Sequence, residues 1–312
     1  MTPSPALALD VAGDPFPMPP VDVIDARRGW WQARRRRWIE RIGDGRETRE
    51  HLGEQRPARA GTAMGTMGLR AGGSGFDPVL ADLLYRWYAP PGGLVLDPFA
   101  GGATRGLVAA HWGLAYVGVD VRADQVAANA AAAEAVGPLP GSARWVHGDA
   151  RRLDELDVPD QVDLVLTCPP YGGLERYSDQ PDDLSTLDPD AYRAAHADVV
   201  RQACGRLVDG GWAVWVVGEA RLPDGSLQGI VPDTHRALRD AGLRVTAEAV
   251  LLTPLGNAHL RAVRPFHARR TLTRAHQTVL VACAGDPADA TARLAQWRGD
   301  VLDRPPPGGL PC

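Results

Sequence analysis

Short apolar runs alternate with helical stretches from residue 76 to residue 284. Val79, Leu80, Leu83, Leu84 and Trp87 recur at helical spacing, and Pro90-Pro91-Gly92-Gly93 ends that helix. Leu94 to Asp97 then reads as a buried strand, followed by a turn and a helix from Thr104 to about Trp112. Strands are predicted at 116–120, 144–147, 162–167 and 212–217, with an Ala-rich helix ending near Gly137 and others over about 189–207 and 232–241. Alternation of this kind implies βαβ units and a mostly parallel sheet. Two final strands, 243–252 and 277–284, lack a crossover helix between them and predict an antiparallel hairpin. Their connection, 253–276, reads as a long basic loop, and long loops inside compact domains are commonly functional. The expected fold is α/β and Rossmann-like, with seven strands and a C-terminal antiparallel hairpin.

The flanks follow a different pattern. Residues 1–20 are rich in Pro and small residues and predict disorder. Residues 21–75 form a basic, aromatic extension. Trp30, Trp31, Trp38 and Ile39 among many charges suggest one or two short amphipathic helices up to residue 56, and a Gly-rich linker follows. The main domain spans 76–285, and 286–312 is a tail that becomes rich in Pro and Gly from Arg304.

Composition narrows the function classes. The net charge is −4, so any nucleic-acid contact must come from local patches rather than bulk charge. All 34 basic residues are Arg, which most simply reflects a GC-rich genome. The four Cys are too dispersed for a zinc pair or a disulfide framework, and the reading is of reduced thiols in a cytoplasmic protein. No signal-peptide pattern and no apolar run of membrane-spanning length is evident, so neither a membrane nor a metal is expected as a partner.

Asp97-Pro98-Phe99-Ala100-Gly101-Gly102 occupies the strand-to-helix turn where open α/β sheets bind ligands. Gly101 and Gly102 allow a sharp turn and close backbone approach, and the following helix start offers free N–H groups. Asp97 is placed to attract an ammonium group, Asp120 to accept from two ribose hydroxyls, and Asp149 to reach an adenine amino group. Acids after three successive strands suit a nucleotide-type cofactor. ATP is disfavoured because there is no GxxxxGK[ST] loop and no Lys.

About seventy residues on, the fourth strand runs into Cys168-Pro169-Pro170-Tyr171. An exocyclic amine has its lone pair delocalised into the ring. An enzyme must draw its hydrogens toward fixed acceptors and hold the base in line with the donor. A Pro-Pro step is rigid and removes two backbone donors, leaving carbonyls as acceptors. Tyr171 offers a face on which an extruded base can stack.

The turn and the clamp together resemble the amino-group DNA methyltransferases, which write N6-methyladenine or N4-methylcytosine. The resemblance covers roughly 76–285, and it is greatest to stand-alone modification methylases of actinobacteria and their phages. Gly173 through Asp179 and the late stretches Arg264-Pro265-Phe266 and Thr273 through Gln277 fit that group. The resemblance implies the class I S-adenosylmethionine-dependent methyltransferase fold, S-adenosyl-L-methionine as cofactor, duplex DNA as partner and a cognate restriction enzyme as a candidate partner. It further implies a catalytic set of Cys168, Pro169, Pro170 and Tyr171, and a cofactor set of Phe76, Asp97, Phe99, Gly101, Gly102, Asp120 and Asp149. The departure is Cys168, where the pattern has Asp, Asn or Ser. A thiol accepts poorly, so the Pro169 carbonyl takes more of the load. The near-isosteric match to Ser leans toward cytosine N4 while leaving adenine N6 open.

Two basic patches remain. Arg27 through Arg37 interleaves with indoles and suits either phosphate contact or docking onto the core. The stretch 261–274 has five Arg and no acid, and Arg264, Arg269, Arg270 and Arg274 are the candidate DNA contacts. His267 and His276 there fit no metal-ligand pattern. Methylation of RNA or of a protein amide is a competing function, as is a non-catalytic DNA-binding role for the same fold.

Overall fold

The computed structural model describes residues 21–43, 75–171, 183–254 and 258–294. The N-terminal 20 residues, the Gly-rich stretch 57–74, the Gly173–Asp179 segment and the C-terminal tail lie outside the described residues.

Eight strands form one sheet. They are β1 (Val23–Asp25), β2 (Leu94–Asp97), β3 (Ala115–Asp120), β4 (Ser142–His147), β5 (Val162–Thr167), β6 (Leu207–Val217), β7 (Arg244–Leu252) and β8 (His276–Cys283). The order across the sheet is β1-β7-β8-β6-β5-β2-β3-β4. All pairings are parallel except those of β8, which runs against both β6 and β7. This is the Rossmann-like, mostly parallel α/β architecture expected from the sequence, with one correction: the sheet has eight strands, not seven. The extra strand, β1, is only three residues long, too short for periodicity to mark. It adds in parallel to the edge of β7, with Ile24 opposite Leu251.

The helices are α1 (Gly29–Ile42), α2 (Pro78–Tyr88), α3 (Thr104–His111), α4 (Ala123–Val136), α5 (Pro189–Cys204), α6 (Ile230–Asp240), α7 (Ala258–Arg269) and α8 (Pro287–Ala292). The connection between β7 and β8 is therefore not a plain loop, because α7 occupies most of it. Two hydrophobic clusters lie on the two faces of the sheet. One gathers α1, α2 and α3 with β2 and β6, and the other gathers α5 and α6.

The N-terminal aromatic residues dock onto the core. Trp31 and Trp38 of α1 are fully buried. Asp82 of α2, also fully buried, accepts from Arg34 Nε (2.6 Å), Trp38 Nε1 (2.7 Å) and Trp112 Nε1 (2.9 Å). A buried carboxylate is tolerated only when its charge and lone pairs are satisfied in this way. Of the two roles open to this patch, the Trp residues take the packing one, while Arg36 and Arg37 remain exposed.

Candidate active site

The sheet reverses direction at β2. The chain passes from β2 outward to β3 and β4, then returns to β5 on the other side of β2. Such a reversal leaves a crevice beyond the carboxyl ends of the strands. The turn after β2, the ends of β3 and β4, and the clamp after β5 all open on it.

The turn is held from behind by buried polar groups. Asp97 ends β2 and is fully buried. One of its oxygens accepts from Arg105 Nε (2.5 Å) and the Tyr116 hydroxyl (2.8 Å). The other accepts from the Thr167 hydroxyl (2.6 Å) and the Phe99 amide (3.2 Å). The carboxylate expected to meet an ammonium group thus faces inward, with four internal donors. Arg105 also donates to the carbonyls of Phe99 (2.6 Å) and Ala100 (3.0 Å), and its guanidinium lies 4.5 Å from the centre of the Phe76 ring. Burial works against its charge, but Asp97 outweighs this and raises its pKa, so it stays cationic.

On the outer side of the turn, Gly101 adopts φ 53°, a left-handed conformation natural to glycine. Its amide donates to Asp120 Oδ2 (3.0 Å), and its carbonyl accepts from Asn129 (2.7 Å). Asp120 also accepts from the Arg122 amide (2.9 Å) and is half-buried. Asp149 follows β4, caps a short 3-10 helix (Ala150–Glu155) through the Arg151 amide (2.9 Å), and pairs with the Arg151 guanidinium (2.7 Å). A cleft beside it is lined by Val121, His147, Gly148, Asp149, Arg152, Glu155 and Leu156. Asp149 lines this cleft, and Asp120 ends the neighbouring strand, one residue before the lining residue Val121.

The clamp leaves β5 next to this turn. Thr167, the last residue of β5, ties the two together: its hydroxyl donates to Asp97 and accepts from the Phe99 amide (3.2 Å). Cys168 Sγ lies 3.0 Å from the Tyr171 hydroxyl, which also accepts from Gln277 Nε2 of β8. The Tyr171 ring packs over Gly218, where an added Cβ would lie 3.0 Å from it. The Pro170 carbonyl accepts from the Tyr192 hydroxyl of α5 at 2.6 Å. Burial pushes that hydroxyl's pKa up, so it remains a donor.

Behind Tyr192 stands His196. Their rings are 5.8 Å apart and nearly parallel, and Phe99 of the turn after β2 also stacks on His196 at 6.5 Å. His196 Nε2 accepts from Trp215 Nε1 (3.2 Å). Burial pushes its pKa down to about 4, so the ring is neutral at ordinary pH. An aromatic column thus runs from the turn after β2 to the clamp.

Arg105, Tyr116, Tyr192 and His196 were not among the candidates. Tyr192 and His196 come from α5, Tyr116 from β3, and Arg105 from the first turn of the helix after Gly102; no local motif marks them. The four candidate DNA-contact residues sit on or just after α7, all exposed: Arg264 and Arg269 in the helix, Arg270 at its end, and Arg274 before β8 with Nη1 3.1 Å from His276 Nε2. Gln277, three residues past Arg274, reaches the clamp. Among the described residues no cluster of three or more His, Cys, Asp and Glu could hold a metal, and no helix is long and apolar enough to cross a membrane.

No protein-family model and no curated protein matches the chain. Similar solved structures include TrmN from Thermus thermophilus (22% identity, 69% of this chain, 51% of that one, TM-score 0.46). The chain thus spans about half the length of TrmN. A methyltransferase from Pyrococcus furiosus (13% identity, 77% and 98% covered, TM-score 0.45) and an S-adenosylmethionine-dependent methyltransferase from Methanosarcina mazei (15%, 64% and 95%, TM-score 0.42) are also similar. At these identities the likeness is one of overall fold.

Proposed function

We propose that this chain is an S-adenosylmethionine-dependent methyltransferase acting on an exocyclic amino group, cytosine N4 or adenine N6, of a base extruded from duplex DNA. The observation that carries the reading is the junction at Thr167, which joins the Gly101-Gly102 turn to the Pro169-Pro170 clamp across one strand boundary. Near-attack geometry demands this proximity of a cofactor site and a substrate acceptor.

The residues present fit the cofactor. We assign Asp120, at the end of β3, to the ribose hydroxyls, and Asp149 and Leu156, which line the cleft past β4, to the purine. Gly101 lets the backbone come close. Asp97 serves by holding Arg105 and the turn rather than by direct contact. When bound, S-adenosylmethionine supplies an electrophilic methyl group.

The clamp does the rest. Tyr192 occupies one lone pair of the Pro170 carbonyl, so the Pro169 carbonyl is the acceptor we assign to the substrate amine. Tyr171, fixed at its hydroxyl by Cys168 and Gln277, presents its ring to the base. Cys168 then acts mainly through Tyr171. The arginines of α7 neutralise phosphates beside the site, and a cognate restriction enzyme is the biological partner such an activity would imply.

The test is a nucleoside digest. The full-length protein is incubated with methyl-labelled S-adenosylmethionine and unmethylated duplex DNA, and the labelled nucleoside is identified by mass spectrometry. N4-methylcytidine or N6-methyladenosine in their deoxy forms is the expected product. Label in RNA or protein but not in DNA would replace this reading, and cofactor binding without any transfer would favour a non-catalytic role.

A further inference from the structure

Helix α7, outside the clamp, carries large apolar side chains on its exposed surface. Leu260, Val263 and Phe266 are 63%, 58% and 41% exposed, and Leu272 just beyond the helix is 72% exposed. The first three fall at i, i+3 and i+6 and form one apolar stripe along the helix. Contiguous exposed apolar surface of this kind marks an interaction site.

Two further observations say what meets it. No Asp or Glu occurs between Glu248 and Asp286, and five Arg fall within 261–274. Arg270 is the one non-glycine residue among those described with a positive φ (54°), in the position where a helix normally ends on glycine. Its amide donates to the Phe266 carbonyl (2.8 Å), and its guanidinium lies 5.3 Å from the centre of the Phe266 ring. The strain there holds a cation against the apolar stripe.

Topology places the stripe. β7 runs parallel to β1 and antiparallel to β8, which itself opposes β6, so β7 ends at the same edge as β2 and β5. The helix therefore stands at the edge that carries the clamp, and the chain leaving it reaches Tyr171 through Gln277. A lipid surface or a second copy of the chain seated on this helix would compete with substrate for that edge.

We infer that α7 is a duplex-docking element. Arg264 and Arg270 lie on phosphates beside the target base, and the Leu260–Val263–Phe266 stripe packs into the gap that the extruded base leaves in the stack. This rests on the proposed activity, and its test separates the two. Binding of fluorescein-labelled duplexes to the full-length protein is followed by anisotropy, with one duplex intact and one carrying a single abasic site. Wild type is expected to bind the abasic duplex at least about tenfold tighter, because the gap is already open. The variant Leu260→Ser/Val263→Ser/Phe266→Ser, shown folded by circular dichroism, should lose that preference, and Phe266→Leu should keep most of it. Arg264→Gln/Arg270→Gln should weaken both duplexes alike and flatten the salt dependence.

Equal binding of the two duplexes by wild type, or a preference that survives the triple substitution, would overturn the inference even if DNA is methylated. Stripe-dependent binding to anionic vesicles in place of duplex would overturn it in favour of a membrane. A stripe-dependent abasic preference without any DNA methylation would uphold the docking surface and remove the catalytic reading.

Discussion

The Tyr192 hydroxyl donates to the Pro170 carbonyl at 2.6 Å, although the two residues lie 22 positions apart. Helix α5 thereby anchors the clamp at its second proline. Tyr192→Phe removes this bond and nothing else in the column. A hydrogen bond of this kind contributes about 1 kcal/mol, so kcat for DNA methylation should fall roughly fivefold while cofactor affinity by calorimetry stays unchanged. An unaltered kcat in the folded variant would remove Tyr192 from the positioning of the clamp.

His196 makes the fold sensitive to acid. Its pKa is pushed down to about 4 in the folded state, against an ordinary value near 6.5. The unfolded chain therefore binds the proton more readily. The stability held by the neutral ring is complete above about pH 6.5 and is lost as the pH falls toward 4, by about 3 kcal/mol in all. Urea midpoints measured from pH 7 to 4.5 should show a shallower decline for His196→Phe than for wild type. Parallel declines would mean that His196 is protonated without cost.

Asp97 and Asp120 should separate stability from binding. Asp97→Ala strands the Arg105 guanidinium in the core, a cost of about 3–5 kcal/mol, and thermal melting should reveal a large drop. Asp120→Ala loses a half-buried acceptor on the cofactor side. It should weaken S-adenosylmethionine binding roughly tenfold, with a melting shift of only a few degrees. If the effects were exchanged, Asp97 would be the direct contact and Asp120 the structural group.

Asp82→Ala should be as damaging as Asp97→Ala, although it lies away from the crevice. It leaves Arg34, Trp38 and Trp112 without their common acceptor, and losses of about 3–5 kcal/mol in urea unfolding are expected. Near-wild-type stability would mean that α1 can leave the core at little cost.

The parts of the site legible in sequence are those built from consecutive residues. Gly101-Gly102 and Pro169-Pro170 declare their backbone chemistry locally, and the strand-ending acids declare their position. The groups that hold these motifs are not legible, because their partners lie elsewhere. Arg105 turns inward to Asp97, Tyr192 and His196 come from a helix whose polar residues look solvated, and Gln277 arrives from the last strand. The fold shows the same division. Most long periodic elements matched their expected bounds within a few residues, but β6 begins at Leu207, five residues before its expected start and inside the expected helix, because Val208-Asp209-Gly210-Gly211 breaks the apolar run; the three-residue β1 and the Arg-rich α7, whose apolar stripe faces solvent, lacked a buried face to betray them.

The short β1 strand also has a bearing on self-association. By pairing with Val250–Leu252 it takes up N–H and C=O groups at the carboxyl end of β7, through Val250 N to Asp22 O (2.8 Å) and Ala26 N to Leu252 O (3.0 Å). An unpaired rim of that kind is a template on which other chains can add strands. The N-terminal residues therefore act as a built-in plug against intermolecular β-pairing. A chain begun at residue 76 would lose this plug along with the cation that neutralises Asp82, which makes insolubility, rather than a missing reaction, the first consequence of trimming it.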